Sequence, residues 1–112
     1  MTGCLFCGIA RGEIKASIVT QDNAFVSFRD INPQAPTHIL VIPRKHVATL
    51  NEATDAGLLG KLLVHARDVA RGEGLADRGY RLVINTNAEA GQSVFHLHAH
   101  LLGGRAMAWP PG

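Results

Sequence analysis

The sequence predicts an α+β fold: a mainly antiparallel sheet of about five strands, one long helix and a short N-terminal helix. Two observations carry this prediction. One segment alone, residues 55–72, repeats apolar side chains at a sustained helical period, whereas several short segments have strand composition and are separated by turn signals. The strands are grouped around that helix and do not alternate with helices, which disfavours a doubly wound parallel sheet. With 112 residues, 46% of them hydrophobic, residues 1–112 are expected to form one domain.

The N-terminal part of the chain predicts a short helix and then a β-hairpin. Residues 5–14 place apolar side chains at roughly helical spacing, although two glycines weaken the pattern. Residues 18–20 and 24–29 have strand composition and flank the turn-forming Gln21-Asp22-Asn23. Residues 30–36 contain two prolines, which exclude a regular helix or a central strand, so we expect an irregular loop there.

The middle of the chain predicts the central strand and the long helix. Residues 37–42 are a nearly continuous apolar run ended by Pro43, which is typical of a strand covered on both faces. Residues 55–72 repeat leucine, valine and alanine every three or four positions, and the helix is expected to end at Gly72 or Gly74. Residues 80–85 alternate as a strand does.

The most informative pattern is His96-Leu97-His98-Ala99-His100, within a strand predicted over residues 94–102. Side chains alternate between the faces of a strand, so three imidazoles would lie on one face, about 7 Å apart. The intervening apolar residues would hold the other face against the core. A polar loop is expected over residues 86–93, and Gly103-Gly104 should end the strand.

Composition excludes several classes of partner. The net charge is only +2 and the basic residues are scattered, so no nucleic acid is expected to bind. Residues 1–17 lack the cationic and apolar regions of a secretory signal, and no apolar span reaches about 18 residues, so neither export nor a membrane is expected. A cytoplasmic location follows as the expectation. In that reducing compartment Cys4 and Cys7 would be thiols or metal ligands.

The residues alone leave two interpretations of the histidine triplet open. Imidazole is the commonest metal ligand, and it is also a nucleophile that works with neighbouring donors. A catalytic metal usually needs a nearby carboxylate, and the nearest ones, Asp77 and Glu89, lie in or before loops. The hydroxyl of Ser93 and the flexible backbone at Gly91 suit phosphate oxygens, which favours phosphate chemistry.

A longer motif surrounds the triplet: Gly91-Gln92-Ser93-Val94-Phe95-His96-Leu97-His98-Ala99-His100-Leu101-Leu102-Gly103-Gly104-Arg105. It resembles the signature of the histidine triad (HIT) family, and most of all its Hint branch. Further matches are residues 30–38, Pro43-Arg44-Lys45-His46, Gly79-Tyr80-Arg81 and Trp109-Pro110-Pro111-Gly112, so the resemblance covers nearly the whole chain. It implies a HIT-like fold.

The resemblance also implies an activity, hydrolysis of the P–N bond of purine nucleoside 5′-phosphoramidates such as adenosine monophosphate joined to an amine, lysine included. On this mapping His98 attacks the α-phosphorus and forms a nucleotidyl-histidine intermediate, which water hydrolyses without a catalytic cofactor. An imidazole with a pKa near 6.5 is largely neutral at pH 7 and needs little activation. Its other ring nitrogen needs an acceptor, which a backbone carbonyl or the supporting His38 would supply; the sequence leaves both open.

The remaining roles follow from the same resemblance. His100 would donate to a phosphate oxygen and Ser93 would help protonate the leaving nitrogen, so the catalytic set is His98, His100 and Ser93. Asp30 would accept the ribose hydroxyls and Asn85 would contact phosphate or ribose, although both residue types are also common in turns and loops. An apolar slot would hold the purine, with core packing as the alternative for its members. The implied nucleotide-binding residues are Phe6, Phe28, Asp30, Ile31, Leu40, Asn85, Gly91, Gln92, Ser93, His98 and His100.

Cys4-Leu5-Phe6-Cys7 has three possible roles. A redox pair normally follows a strand, and no strand fits before residue 4. The spacing suits two thiolates of a tetrahedral zinc, whereas free buried thiols are the alternative. In zinc-bearing relatives the other two ligands match His46 and His96 here, so the resemblance implies a structural zinc site of Cys4, Cys7, His46 and His96.

The resemblance further implies a homodimer, in which Trp109 near the C-terminus reaches toward the site of the other chain. The expected partners are therefore a purine nucleoside phosphoramidate or monophosphate and a second copy of the chain. Two other functions remain open: a nucleotide-binding adaptor without catalysis, and a dinucleoside polyphosphate hydrolase. Ser93 and the terminal Trp109-Pro110-Pro111-Gly112 favour the phosphoramidase over the polyphosphate hydrolase.

Overall fold

The structure, a computed structural model, describes residues 3–112. Its elements in chain order are α1 (Leu5–Ala10), β1 (Ile18–Gln21), β2 (Phe25–Arg29), β3 (Thr37–Pro43), a 3₁₀ turn (Leu50–Glu52), α2 (Ala56–Gly72), β4 (Tyr80–Val83) and β5 (Ala99–Gly103). The strands form one five-stranded sheet in the order β1-β2-β3-β5-β4, and every neighbouring pair is antiparallel. The predicted α+β fold class is confirmed.

The central strand β3 has both faces covered, each by a different helix. Leu40 and Ile42 pack in one cluster with Phe6 of α1. The alternate residues Ile39 and Val41 pack in two clusters with apolar residues of α2. A strand buried on both faces has no polar alternation, which explains the continuous apolar run in its sequence.

The helices begin and end close to the predicted positions. Asp55 is the N-cap of α2 and not its first residue, because its carboxylate accepts the backbone N–H of Leu58 at 3.2 Å. The helix ends at Gly72 as predicted. The short helix α1 ends at Ala10, four residues before the predicted limit, and the left-handed backbone of Gly12 (φ 75°) follows it.

The histidine strand is shorter than predicted. It begins at Ala99 and not at residue 94, so only His100 of the triplet lies in β5. The last residue pair of the β3–β5 ladder joins Val41 to Ala99; Pro43, farther along β3, has no N–H to donate. Before Ala99 the chain makes a different bond, since the N–H of Leu97 donates to the carbonyl of Val47.

Two further strand ends differ from the prediction. Gly103 belongs to β5 and pairs with Thr37 and Tyr80, although it was expected to end the strand. A Cβ at this position would lie 2.6 Å from a methyl carbon of the buried Leu75, so a larger residue would have to displace that side chain. The strand β4 ends at Val83, two residues before the predicted end.

The residues of the triplet segment nevertheless alternate between the two faces of the sheet, as predicted. The rings of His96 and His98 lie 6.0 and 5.1 Å from the ring of Phe6, on the α1 side. Leu97 packs in a cluster with α2, on the other side. His100 pairs with Leu40, and cross-strand partners share a face, so all three histidines lie on the α1 side of the sheet.

Within residues 3–112, no helix is both long and apolar enough to cross a membrane.

Candidate active site

A cavity of about 670 Å³ lies beside α1, the end of β2 and the middle of β3, and the histidine segment forms part of its wall. The predicted nucleotide-binding residues that line it are Phe6, Phe28, Asp30, Ile31, Leu40, Ser93, His98 and His100. The lining of the cavity therefore combines apolar side chains with a carboxylate, a hydroxyl and two imidazoles. A few convergent polar groups in an apolar cavity are typical of a small-molecule site.

His98 has a defined tautomer in this cavity. Its Nδ1 lies 2.7 Å from the backbone carbonyl oxygen of His96. A carbonyl only accepts, so Nδ1 carries the proton and donates it, which leaves Nε2 with a free lone pair. Burial lowers the pKa of His98, an effect that the hydrogen bond to His96 and the charge of Asp30 oppose. The side chain is thus held as a neutral imidazole, the form that acts as a nucleophile.

His100 also has a defined tautomer, set through a chain of hydrogen bonds. The backbone N–H of Gln34 donates to Nδ1 of His38 at 3.0 Å, so the proton of the neutral His38 ring lies on Nε2. That Nε2 lies 2.9 Å from Nδ1 of His100 and donates to it. The remaining proton of His100 is therefore on Nε2, where it can be donated to a ligand.

The carboxylate of Asp30 lies beside His38, the middle member of this chain. One oxygen accepts the backbone N–H of Asn32 at 2.8 Å, and the other lies 3.4 Å from Nε2 of His38. Burial lowers the pKa of His38, and the charge of Asp30 opposes that shift. Burial, followed by the neighbouring His98 and His38, lowers the pKa of His100 to about 4. Both rings are neutral near pH 7.

These shifts predict that the protein loses stability in mild acid. An unfolded histidine titrates near pH 6.5, whereas His100 in the folded protein titrates at about 4, so between these values the unfolded state binds more protons. The free energy of unfolding is expected to fall as pH falls through this interval, by up to about 1.4 kcal/mol per pH unit for each proton.

Urea unfolding at several pH values, with a chelator present throughout, measures this slope. The His100→Asn variant is expected to show a smaller slope than the unchanged protein, because it lacks one of the titrating rings. Equal slopes for the two proteins would show that His100 does not titrate in this way.

Three predicted nucleotide-binding residues lie outside the cavity: Asn85, Gly91 and Gln92. The side chain of Gln92 is buried and bonded to backbone. Its oxygen accepts the N–H of Asn87, and its nitrogen donates to the carbonyls of Ala48 and Val94. Gln92 therefore holds the loop that carries Ser93. Direct contacts of Asn85, Gly91 and Gln92 with a nucleotide stay a prediction.

The predicted metal ligands form a second cluster, next to the cavity. The sulfurs of Cys4 and Cys7 and the Nδ1 atoms of His46 and His96 all lie within 4.8 Å of one another. The distance from each sulfur to a facing ring nitrogen is 3.3 to 3.5 Å. Zn–S and Zn–N bonds of about 2.3 and 2.0 Å in a tetrahedron place such atoms about 3.5 Å apart. The four side chains could hold a metal ion.

The tautomer of His96 fits metal binding. Its Nε2 lies 2.7 Å from the carbonyl oxygen of Pro43 and donates to it, so Nδ1 is unprotonated where it faces the two sulfurs. A ligating imidazole usually donates its other N–H to such an acceptor. The sulfur of Cys4 also accepts the N–H of Cys7, which caps α1 and fixes the two cysteines relative to each other.

The HIT domain family matches residues 11–107. The chain belongs to the HIT family. An uncharacterized HIT-like protein of Synechocystis is 53% identical over 110 residues, which cover 96% of each chain. The purine nucleoside phosphoramidase of Escherichia coli K12 is 49% identical over 105 residues, 92% of this chain and 88% of that relative. A HIT family hydrolase from Legionella pneumophila has a crystal structure with a TM-score of 0.96 and 55% identity, covering 98% of this chain and 100% of that chain.

The sequence did not predict several lining residues of the cavity in this HIT protein, nor which main-chain groups bond to its histidines. The cavity wall also includes Leu5, Ile9, Ile14, Lys15, Ala16, Ser17, Arg29 and Val94. The atoms that set the three tautomers are main-chain groups: the carbonyls of Pro43 and His96 and the amide of Gln34. Every residue carries a carbonyl and nearly every residue an N–H, so no sequence signal distinguishes them.

Proposed function

We propose that this HIT protein hydrolyses the P–N bond of purine nucleoside 5′-phosphoramidates and releases a nucleoside monophosphate and an amine. The observation that carries the proposal is the pairing of a neutral His98, with Nε2 free, and a His100 that donates from Nε2 into the same cavity. The first suits attack on phosphorus and the second suits stabilisation of a phosphate oxygen. The 49% identity to a purine nucleoside phosphoramidase supports the same activity.

The reaction takes two steps. The lone pair of His98 Nε2 attacks the α-phosphorus, and the P–N bond to the amine breaks with its electron pair going to the leaving nitrogen. That nitrogen takes a proton from the hydroxyl of Ser93, which lines the cavity and takes a proton from solvent in turn. Water then attacks the phosphorus, and the bond from phosphorus to His98 breaks with its electron pair returning to Nε2, which restores the neutral imidazole. The proton that the water loses passes to solvent.

The cavity also contains groups that suit the purine and the ribose of a nucleoside. Phe6, Phe28 and Leu40 supply apolar surface for the purine, and the rings of Phe6 and Phe28 meet edge to face at 5.4 Å. Asp30 lines the same cavity and accepts the ribose hydroxyls, because an ionised carboxylate is an acceptor-only group.

Replacing Asp30 by alanine is expected to weaken binding of adenosine monophosphate about tenfold, since a hydrogen bond to a charged group contributes roughly 1.5 kcal/mol or more. Titration calorimetry with adenosine monophosphate and with its 2′,3′-dideoxy analogue measures the effect. The unchanged protein should prefer the ribose form, and the variant should bind both alike. A variant that retains the full preference would place the ribose elsewhere.

A panel of substrates tests the proposed activity. A fluorogenic adenosine phosphoramidate, its guanosine counterpart and a diadenosine polyphosphate are offered to the protein separately, and binding of adenosine monophosphate is measured in parallel. Hydrolysis of the phosphoramidates supports the proposal, and the two nucleosides report the base preference. Binding without hydrolysis would indicate an adaptor, and cleavage of the diadenosine substrate alone would indicate a polyphosphate hydrolase.

We propose zinc as the metal of the Cys4, Cys7, His46 and His96 cluster, with a structural role. Two sulfurs and two imidazole nitrogens are a ligand set that zinc prefers, and no carboxylate takes part in it. The ligands come from α1, from the turn after β3 and from the segment before β5, so a bound ion would join three parts of the chain.

We also propose that two copies of the chain associate. Trp109 is 82% exposed in the single chain, and an aromatic side chain of this size is commonly covered in an interface. The strand β4 is an edge of the sheet and has backbone groups free to pair with a second copy. Light scattering is expected to give the mass of a dimer for the unchanged chain, and Trp109→Ala should weaken the association; a monomer at all concentrations would contradict the proposal.

A further inference from the structure

Ser93 lies at the junction of two cavities. One is the candidate active-site cavity already described. The other has a volume of about 420 Å³ and shares Leu5, Ser93 and Val94 with the first. Its remaining lining residues are Gly3, Cys4, His46 and Phe95. The two cavities therefore adjoin each other at Leu5, Ser93 and Val94.

Two large apolar side chains line the second cavity and remain open to solvent. Leu5 is 46% exposed and Phe95 is 49% exposed, and both line this cavity. Exposed apolar side chains that lie together around a concavity mark a binding surface more often than scattered ones do. This cavity should bind an apolar group.

The charges around the second cavity also limit which groups would bind there. Its lining residues within the described part of the chain include neither a carboxylate nor a lysine or arginine. A charged group that entered would lose hydration without gaining an ion pair, whereas an uncharged aromatic or aliphatic group would lose little.

We propose that the second cavity binds the substituent of the leaving amine, and that the preferred substrates carry an uncharged aromatic or branched aliphatic amine. This inference rests on the proposed phosphoramidase function. With the phosphate at His98 and His100 and the leaving nitrogen at Ser93, the substituent extends past Ser93. The cavity that adjoins there exposes the apolar side chains of Leu5 and Phe95. A lysine leaving group, which carries charge, is disfavoured.

The test compares adenosine 5′-phosphoramidates that differ only in the amine: methylamine, 2-phenylethylamine and lysine. The quantity measured is the ratio of kcat/KM for the phenylethyl substrate to kcat/KM for the methyl substrate. We expect a ratio of at least about ten in the unchanged protein, since the phenylethyl group buries much more apolar surface. The lysine substrate should be used less well than the phenylethyl one.

Phe95→Ala and Leu5→Ala are each expected to lower this ratio at least about threefold, because each removes apolar surface from the cavity wall. Intrinsic differences between the amines cancel when ratios are compared between variants. A disturbance of the neighbouring metal cluster would slow both substrates and leave the ratio unchanged. Leu63→Ala is the matched control, since Leu63 is 47% exposed on α2 and lines neither cavity, and it should keep the ratio of the unchanged protein.

The outcomes separate this inference from the function on which it rests. If the unchanged protein hydrolyses phosphoramidates but Phe95→Ala and Leu5→Ala keep its ratio, the second cavity does not bind the amine and the proposed function stands. A higher kcat/KM for the lysine substrate than for the phenylethyl one would also overturn the inference. If none of the phosphoramidates is hydrolysed, the proposed function fails and the inference fails with it.

Discussion

His98→Ala is expected to lower kcat for a fluorogenic adenosine phosphoramidate by at least about 10⁴-fold, as loss of a covalent nucleophile does in other enzymes. The variant keeps His100, His38 and the apolar wall, so adenosine monophosphate should still bind. Calorimetry measures that binding and fluorescence measures the turnover. Rapid quenching followed by mass spectrometry should detect a nucleotidyl adduct on the unchanged protein and none on the variant.

His65→Ala is the matched control for this experiment. His65 is a half-buried histidine on α2 that contacts Thr20 and lies outside the candidate active-site cavity. Its loss should leave turnover within about threefold, a change in the reaction barrier of about 0.7 kcal/mol or less. Turnover by His98→Ala within tenfold of the unchanged protein would exclude His98 as the nucleophile. Loss of both turnover and nucleotide binding would instead point to a disturbed cavity.

Of the changes that we predict, removal of the metal is expected to lower the stability of the protein most. The protein purified without chelators should contain about one zinc per chain, and Cys7→Ser should contain much less, because a structural zinc needs its full ligand set. The melting temperature of the variant should be lower by about 10 °C or more, which corresponds to roughly 2 kcal/mol in a domain of this size. Elemental analysis and calorimetry make the two measurements.

His46→Ala and His65→Ala form a matched pair for the zinc prediction. Each removes one half-buried imidazole, but only His46 belongs to the metal cluster, so only its loss should release zinc. The unchanged protein would contradict the prediction if it held well under one zinc per chain, and Cys4 and Cys7 would then be free thiols.

The two sites are coupled through His96, and this coupling links the two predictions. Nδ1 of His96 faces the sulfurs of the metal cluster, while the backbone carbonyl of the same residue accepts the proton on Nδ1 of His98. Loss of zinc should therefore loosen the acceptor that holds His98, the proposed nucleophile, and lower kcat as well. Activity that survives complete zinc removal would show that the backbone holds its position without the ion.

Much of the fold follows from local pattern. The helical repeat over residues 55–72 predicts α2 within one residue, because only a helix places those side chains on one face. The apolar run before Pro43 predicts β3 for a similar reason. The start of β5 could not be predicted, since strand ends depend on the backbone opposite, and there the ladder stops near Pro43.

The sequence by itself determined the fold class and the grouping of chemistry on one side of the sheet, because both depend on side-chain type and spacing. It also determined the family motif around His96, His98 and His100. Only the tertiary structure decided which nitrogen of each ring is free. Main-chain carbonyls hold His96 and His98, and the amide of Gln34 acts on His100 through His38. These main-chain groups are not distinguished by residue type, so packing of distant segments alone selects the ones that meet a histidine.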